Sequence, residues 1–396
     1  MSEWKEIKLG ELLNVITKGT TPPKGIGFVD KGINYVKSDA IGYDRKLDKT
    51  KIAHINEETH QSFKRSQLAE NDILFSMAGI YLGKNAIVTK DILPANTNQA
   101  LAILRLNQEK ANPTYVSLYL SQQVMIDYVN NMSGQSAQPN VNFEEIKSIE
   151  IKLPPISEQT AIASVLSSLD DKIDLLHSQN YTLEKMAETL FRQWFVEEAK
   201  DGWKEGILDD ILTVKGGSTP ITGEPAYWNG TIHWTSPRDI TNLNGIYLFD
   251  TERKITKLGL SKISSGLLPK GTLLMSSRAP VGVLAFSEVP IAINQGYIAI
   301  LDNKGYSKEF IYLWLKSNID IVHSFSNGST FMEISKSVFK TLQLLIPPKN
   351  VLSDFQLLVK PLFEKIKYNQ TQILTLTALR DTLLPKLMSG EVRVEV

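Results

Sequence analysis

The chain has 396 residues, with 43 basic and 43 acidic side chains, five histidines and no cysteine. Its apolar fraction of 42% and charged fraction of 22% are those of globular protein with room for two or three cores. Zero net charge argues against a protein that coats nucleic acid by bulk electrostatics, and the missing cysteines exclude disulfides and thiolate metal sites. No run approaches the roughly 20 apolar residues of a membrane helix, and residues 1–6 lack the apolar core of a signal peptide. A cytoplasmic location with no membrane partner is expected.

In chain order, Trp4-Lys5-Glu6 leads into an apolar pattern at Leu9, Leu12, Leu13 and Val15, then a turn at Lys18-Gly19-Thr20-Thr21-Pro22. Short β-rich runs such as Ile33-Asn34-Tyr35-Val36, Ile73-Leu74-Phe75-Ser76 and Ala86-Ile87-Val88 follow, separated by Gly, Pro and Asn turns. A helix is predicted over 115–128, and Leu153-Pro154-Pro155 closes the globular part, because proline disfavours helical geometry in the residue before it. The period then changes. Ile162, Leu166, Leu169, Ile173, Leu176, Asn180, Leu183, Ala187, Leu190 and Trp194 alternate in steps of four and three, which is the seam of a coiled coil.

From residue 203 the plan repeats. Trp203-Lys204-Glu205, the apolar set Leu208, Ile211, Leu212 and Val214, and the turn Gly216-Gly217-Ser218-Thr219-Pro220 match the first copy in order. So do Ile232-His233-Trp234-Thr235, Leu273-Leu274-Met275-Ser276, Asn294-Gln295 (against Asn98-Gln99), Leu313-Trp314-Leu315 (against Leu118-Tyr119-Leu120) and Ile346-Pro347-Pro348. A strand is predicted at Tyr297-Ile298-Ala299-Ile300-Leu301 and a helix over 308–322. The offset drifts only from 199 (Trp4 to Trp203) to 193 (Leu153 to Ile346), as small loop deletions would produce. A second seam runs through Phe355, Val359, Leu362, Ile366, Asn369, Ile373, Leu376, Arg380, Leu383 and Leu387. Ser157, and Ser353 with Gln356, are the expected helix caps. A bend is expected near Pro361 and a stop at Ser389-Gly390.

If the two helices pack antiparallel, facing residues have numbers of constant sum. Asn180 opposite Asn369 sets that sum at 549, which also pairs Leu183 with Ile366, Leu190 with Val359, Leu166 with Leu383, Leu176 with Ile373 and Trp194 with Phe355. A buried asparagine pair fixes register at a cost in stability. Two independent helices, each packed on its own domain, are the alternative.

The expected architecture is therefore α+β: two homologous β-rich domains, related by pseudo-twofold symmetry and separated by two long antiparallel helices. The segments are 1–153, 154–200, 201–346 and 347–396. This layout resembles the type I restriction–modification specificity subunit over essentially the whole chain. The start at Trp4–Glu11 (Trp-Lys-Glu, then Leu9-Gly10-Glu11), the helix lead Pro154-Pro155-Ile156-Ser157-Glu158-Gln159 and the ending Leu383-Leu384-Pro385-Lys386-Leu387-Met388-Ser389-Gly390-Glu391-Val392 are similar to that family's motifs. The second Pro-Pro departs from the pattern, with Lys349-Asn350 where Ile156-Ser157 stand in the first copy.

The resemblance implies a subunit that reads a two-part sequence of double-stranded DNA, one half-site per target-recognition domain. The helices would set the gap and dock two methyltransferase subunits, to which restriction subunits add. S-adenosylmethionine and ATP with Mg would then serve those partners, with no cofactor in this chain. The dimensions are compatible: a helix of about 35 residues spans about 50 Å, and half-sites one turn apart lie about 34 Å from each other.

No motif supports catalysis in this chain. The Pro-Pro pairs follow Leu and Ile rather than the Asn or Asp of an amino-methyltransferase, Gly25-Ile26-Gly27 lacks the context of a nucleotide loop, and no Walker lysine occurs. Glu145-Ile146-Lys147 has the spacing of a nuclease carboxylate–lysine pair but no upstream acidic partner in Pro-Asp context. His54, His60, His177, His233 and His323 form no metal or triad pattern, so surface or packing roles are expected.

Base edges are read by Arg, Lys, Asn, Gln, Ser and Thr, and phosphates by Lys, Arg and backbone amides. The candidates occupy equivalent places in both copies. They are Thr20, Thr21 and Lys24 with Ser218 and Thr219, where glycine would let the backbone approach phosphate; Lys37, Ser38 and Asp39 with Ser236, Arg238 and Asp239; and Ser76 with Ser276, Ser277 and Arg278. Gln135 and Gln138 from the loop 133–138 are matched by Asn327, Ser329 and Thr330. Asn98 and Gln99, with Asn294 and Gln295, are common to both copies, which suits phosphate positioning or a structural turn better than readout. For the Gly/Thr/Pro turns a purely structural role stands equally open. Arg45, Lys46, Lys49 and Lys51 form the densest basic stretch, for which a solvated loop is the leading explanation. A protein-binding coiled-coil scaffold is the competing function, favoured by zero net charge and opposed by the matching polar loops.

Overall fold

A computed structural model describes residues 4–23, 27–79, 82–132, 139–199, 203–301, 304–326 and 332–395. The chain divides into two compact units, Met1–Lys172 with Leu376–Val396, and Ile173–Thr375. Each unit holds one β-rich copy together with a length of each long helix.

In the first unit, strands Leu13–Lys18, Leu101–Leu106, Ile73–Ser76 and Asn85–Ile87 form an antiparallel sheet in that order. A second sheet has the order Phe28–Val29, Ala53–Ile55, Ile33–Val36 and Ala95–Thr97, its last pair parallel. Lys5–Lys8 pairs with Glu150–Leu153, tying the two ends of the copy together. The second unit repeats the scheme. Thr213–Lys215, Tyr297–Leu301, Leu273–Ser276, Leu284–Ser287 and Tyr247–Leu248 make one sheet, and Arg253–Ile255, Trp228–Thr235 and Ile291–Ile293 the other, with its last pair again parallel. Lys204–Ile207 pairs with Gln343–Ile346 as the closing ribbon. The fold is α+β, as the sequence implies.

The predicted helices over 115–128 and 308–322 are each two helices, Pro113–Leu120 with Gln123–Met132, and Lys308–Ser317 with Ile319–Ser324. The first break falls at Ser121-Gln122, where the Ser121 hydroxyl donates to the Leu118 carbonyl at 2.7 Å and competes with the helix ladder. At the second, Asn318 Nδ2 donates to the Trp314 carbonyl at 2.8 Å.

The long helices are Ile156–Arg192, followed by a π-helical turn Gln193–Glu197, and Lys349–Ser389. Neither expected cap serves as one. The first helix starts directly behind Pro155, whose carbonyl receives the Gln159 N–H at 3.0 Å, so Ser157 lies inside it. The second starts at Lys349, leaving Ser353 interior, and Gln356 donates to Glu309 at 3.0 Å instead of capping. Both prolines of the C-terminal helix sit within continuous helix, which ends at Ser389 with Gly390 in the left-handed region at φ 79°.

Within the second unit the two helices run antiparallel. Asn369 Nδ2 donates to Asn180 Oδ1 at 3.0 Å, and the Trp194 and Phe355 rings lie 5.9 Å apart. Leu183, Leu190, Val359 and Ile366 share one core with the sheet residues Leu273, Met275, Ile298 and Ile300. Within the first unit Ile162 and Leu166 share a core with Leu383 and Leu387. Asp170 accepts from Arg380 Nη1 at 3.0 Å and from Arg45 of the β-rich copy.

Candidate nucleic-acid interface

Parallel pairing decides where the polar turns emerge. In the first unit Ile33–Val36 and Ala95–Thr97 run side by side, with Val36 against Thr97, so Lys37-Ser38-Asp39 and Asn98-Gln99 leave the sheet at the same end. Hydrogen bonds join the exits: Asn98 N–H to the Val36 carbonyl at 3.3 Å, and the buried Thr97 hydroxyl to the same carbonyl at 2.8 Å. The Gly19-Thr20-Thr21 turn lies on them, with Thr20 N–H bonded to the Thr97 carbonyl at 3.0 Å and the Tyr35 hydroxyl to the Thr20 carbonyl at 2.8 Å. Three segments far apart in sequence thus meet in one place, where Thr21, Asp39 and Gln99 are exposed and Thr20, Lys37, Ser38 and Asn98 half-buried.

The second unit builds the same junction from other side chains. Asn294 N–H bonds the Thr235 carbonyl at 3.0 Å, Ser218 N–H bonds the Ile293 carbonyl at 3.1 Å, and Trp234 Nε1 donates to the Ser218 carbonyl at 3.3 Å, in the place that Tyr35 takes in the first unit. The Thr219 hydroxyl donates to Gln295 Oε1 at 2.6 Å, joining two candidates directly.

Several expectations need correction. The turn glycines are required by backbone packing: a Cβ at Gly19 would collide with the Thr97 and Asn98 carbonyls, and one at Gly217 with that of Ile293. Ser76 and Ser276 are fully buried and Ser277 is 3% exposed, because both strands are covered on both faces, so these hydroxyls do not face a ligand. Asp239 is a cap: Oδ2 accepts from the Ser236 N–H (2.8 Å) and the Thr235 hydroxyl (3.1 Å), and Oδ1 from the Glu252 N–H (2.9 Å). Its counterpart Asp39 is exposed, and Ser236 is the N-cap residue of Pro237–Thr241. Arg238 is exposed with Glu252 3.8 Å away, and Arg278 faces Glu333 at 4.0 Å. Asn294 Oδ1 accepts from the Gly296 N–H at 2.8 Å, a turn-forming role.

Lys24, Gln135, Gln138, Asn327, Ser329 and Thr330 lie outside the described residues. The segments flanking those loops do match: Val141 N–H bonds the Met77 carbonyl at 2.8 Å, and Ile334 N–H the Ser277 carbonyl at 3.0 Å.

The dense basic stretch is answered by its own carboxylates. Arg45 pairs with Asp170, Lys51 with Asp48 at 3.1 Å, and Lys49 with Asp91 at 2.5 Å, which pulls the Asp91 carboxyl down to about 2. Glu145 is also structural, since it closes a capping box with Asn142 while Lys147 pairs with Glu144 at 2.9 Å. Among the described residues no group of three or more His, Asp or Glu side chains could hold a metal ion, and no helix is long and apolar enough to cross a membrane.

Two residues escaped the sequence reading. Arg65 Nη2 lies 3.5 Å from the Thr20 hydroxyl. Arg253 stacks on Trp228, its guanidinium carbon 3.4 Å from the ring centroid. No motif flags them, because what distinguishes them is their place in the fold, Arg65 beside the Thr20 turn and Arg253 on the Trp228 ring.

The sequence profile described as Type I restriction modification DNA specificity domain matches residues 1–185 and again 200–374. The chain is 30% identical to the specificity subunit of the type I restriction enzyme MjaIX from Methanocaldococcus jannaschii, over 76% of this chain and 74% of that one. It is 22% identical to the HindI specificity subunit from Haemophilus influenzae, over 99% of this chain and all of that one. The fold is similar to the crystal structure of the type I restriction–modification S subunit from M. genitalium, with a TM-score of 0.64 at 18% identity, covering 97% and 96% of the two chains. With two matched domains, and the same polar junction built in each unit, the chain belongs to the type I restriction–modification DNA specificity family and is a DNA-binding specificity subunit.

Proposed function

We propose that the two units divide the reading of a bipartite DNA target, one half-site each, and that the long helices set the unspecified gap and dock two methyltransferase subunits, with restriction subunits joining them. The observation that carries this reading is the repeated junction with different side chains. Thr20 and Ser218 share one backbone frame, and so do Lys37-Ser38 and Ser236 with its following helix. A fixed frame with exchanged polar groups is what two readers of different sequences need. Adenine methylation with S-adenosylmethionine, and ATP- and Mg-dependent cleavage, then belong to the partner subunits, and this chain supplies their address.

The test is co-expression with the methyltransferase partner and single-molecule sequencing of methylated adenines. A bipartite methylated motif that disappears when this chain is omitted is the expected result. Methylation that persists unchanged without it, with an active partner, would favour the protein-binding scaffold.

A further inference from the structure

Seven of the nine arginines face a carboxylate within 4.0 Å: Arg45, Arg105, Arg192, Arg238, Arg278, Arg380 and Arg393. Among the described residues the other two, Arg65 and Arg253, have no such partner; Arg65 lies 3.5 Å from the Thr20 hydroxyl of one candidate turn, and Arg253 stacks on the Trp228 ring. We propose that Arg253 is a specificity-determining residue that reads a guanine in the half-site bound by the second unit; this rests on the reading of the chain as a half-site reader.

The platform beneath Arg253 lies on the strand Trp228–Thr235 and is tied to the candidate turn by hydrogen bonds. Trp228 and Trp234 meet edge to face, with ring centroids 5.1 Å apart and planes at 90°. Both indole donors are spent on one short segment: Trp228 Nε1 donates to the Ile221 carbonyl at 3.1 Å and Trp234 Nε1 to the Ser218 carbonyl at 3.3 Å. The two rings are 6% and 5% exposed, whereas Arg253 is exposed above them, 3.4 Å from the Trp228 centroid and 5.6 Å from that of Trp234. Any movement of the 218–221 turn therefore moves the platform, and the guanidinium is coupled to the loop that carries Thr219.

Charge next to the site is already assigned. Lys254 pairs with Asp250 at 3.1 Å, and Glu252 lies 3.8 Å from Arg238, so neither acidic neighbour claims Arg253. A guanidinium lying flat on an indole keeps its donor edge free and loses less rotamer freedom when it binds. The base that offers two acceptors to such a fork is guanine, through O6 and N7 in the major groove. A phosphate contact needs positive charge, which lysine also supplies, whereas lysine's point charge lacks the planar two-donor fork.

The experiment uses the full chain assembled with its methyltransferase subunits, and measures methylation rates on duplexes varied at each position of the target. The wild-type complex comes first: if it shows no two-part motif, the half-site reading fails whatever Arg253 does. Given a motif, Arg253→Ala should lose preference for guanine at one position of one half-site by about 10- to 100-fold, and Arg253→Lys should lose part of that preference, with the other half-site unchanged. The lysine variant keeps an aliphatic stem over Trp228, so the test stands if the alanine variant unfolds. An unchanged motif in Arg253→Lys overturns the proposal. So does a uniform loss on all sequences in Arg253→Ala that lysine restores, since that outcome assigns Arg253 to phosphate.

Discussion

Asn369 donates its side-chain amide to Asn180 Oδ1 across 3.0 Å, with Asn369 fully buried and its own Oδ1 unpartnered. Such a pair costs stability relative to apolar packing, and the compensation is register: any axial slip separates the two amides. Asn180→Leu alone should destabilise the protein by about 1–3 kcal/mol, because Asn369 keeps a buried amide that has lost its principal acceptor. The double variant Asn180→Leu/Asn369→Leu should recover most of that loss. Thermal denaturation of the full cycle checks this, and additive single effects would show that the two residues are not coupled.

One residue further on, Gln370 holds a strand. Its Oε1 accepts from the Ile246 and Tyr247 N–H groups at 3.3 and 3.1 Å, and its Nε2 donates to the Tyr247 carbonyl at 2.6 Å. Gln370→Leu leaves three buried backbone groups without partners, each costing about 1–3 kcal/mol when unsatisfied. Loss of the cooperative transition, or a fall in denaturation midpoint well beyond that of Asn180→Leu, is the expected outcome. Gly245→Ala should show the same defect more mildly, since its Cβ would meet the Gln370 carboxamide at 2.6 Å.

Acid should weaken the second unit through Glu188. Burial pushes this carboxyl up, but Lys185 at 2.6 Å and Lys316 at 2.8 Å outweigh burial and hold it below its ordinary value of 4.5. For a depressed acid the stabilisation is present above the unfolded value and is lost as pH falls through the folded one. Glu188→Gln should therefore lower the melting temperature at neutral pH, and the gap to wild type should close as pH drops below about 4.5. A gap that stays constant down to pH 3 would show that the carboxylate charge contributes nothing.

The duplication, the sheet residues and the asparagine pairing were legible because periodicity and order report burial and repetition directly. Burial of a particular hydroxyl was not. Ile73-Leu74-Phe75-Ser76 is enclosed on both faces, so no alternation separates an inward serine from an outward one. Helix starts were misplaced because Pro155 and Pro348 define them and the nearby serines only resemble caps. Arg253 was invisible for another reason: Trp228, Trp234 and Arg253 come together only when the strands Arg253–Ile255 and Trp228–Thr235 pair, with Trp234 against Arg253.

Exposure separates Arg65 from the buried Ser76 and Ser277 as candidates for DNA contact. Arg65→Ala should weaken binding on all sequences alike and reduce the slope of log affinity against log salt by about 1, as loss of one phosphate contact does. Ser76→Ala and Ser277→Ala should leave the methylated motif as it is, since both residues are buried. Fluorescence anisotropy at several salt concentrations reads the first, and methylation sequencing the second. A motif altered by Ser76→Ala would mean that the strand end opens when DNA binds.

The two turn glycines offer a test that treats the units separately. Gly217 packs so closely on the Ile293 carbonyl that a methyl group has no space, and the Ser218 N–H bond to that carbonyl must stretch if the turn lifts away. Lifting the turn also moves the Ser218 carbonyl from Trp234 and Thr219 from Gln295, so the whole polar junction of the second unit is displaced together. Gly217→Ala should accordingly degrade recognition of one half-site while the other keeps its base preferences, and Gly19→Ala should do the reverse. Each substitution costs stability as well, about 1–3 kcal/mol for overpacking of this kind, so the comparison is made at a temperature where both variants are folded. If both variants lose the same half-site, or both halves equally, the turns do not act as separate supports for two readers.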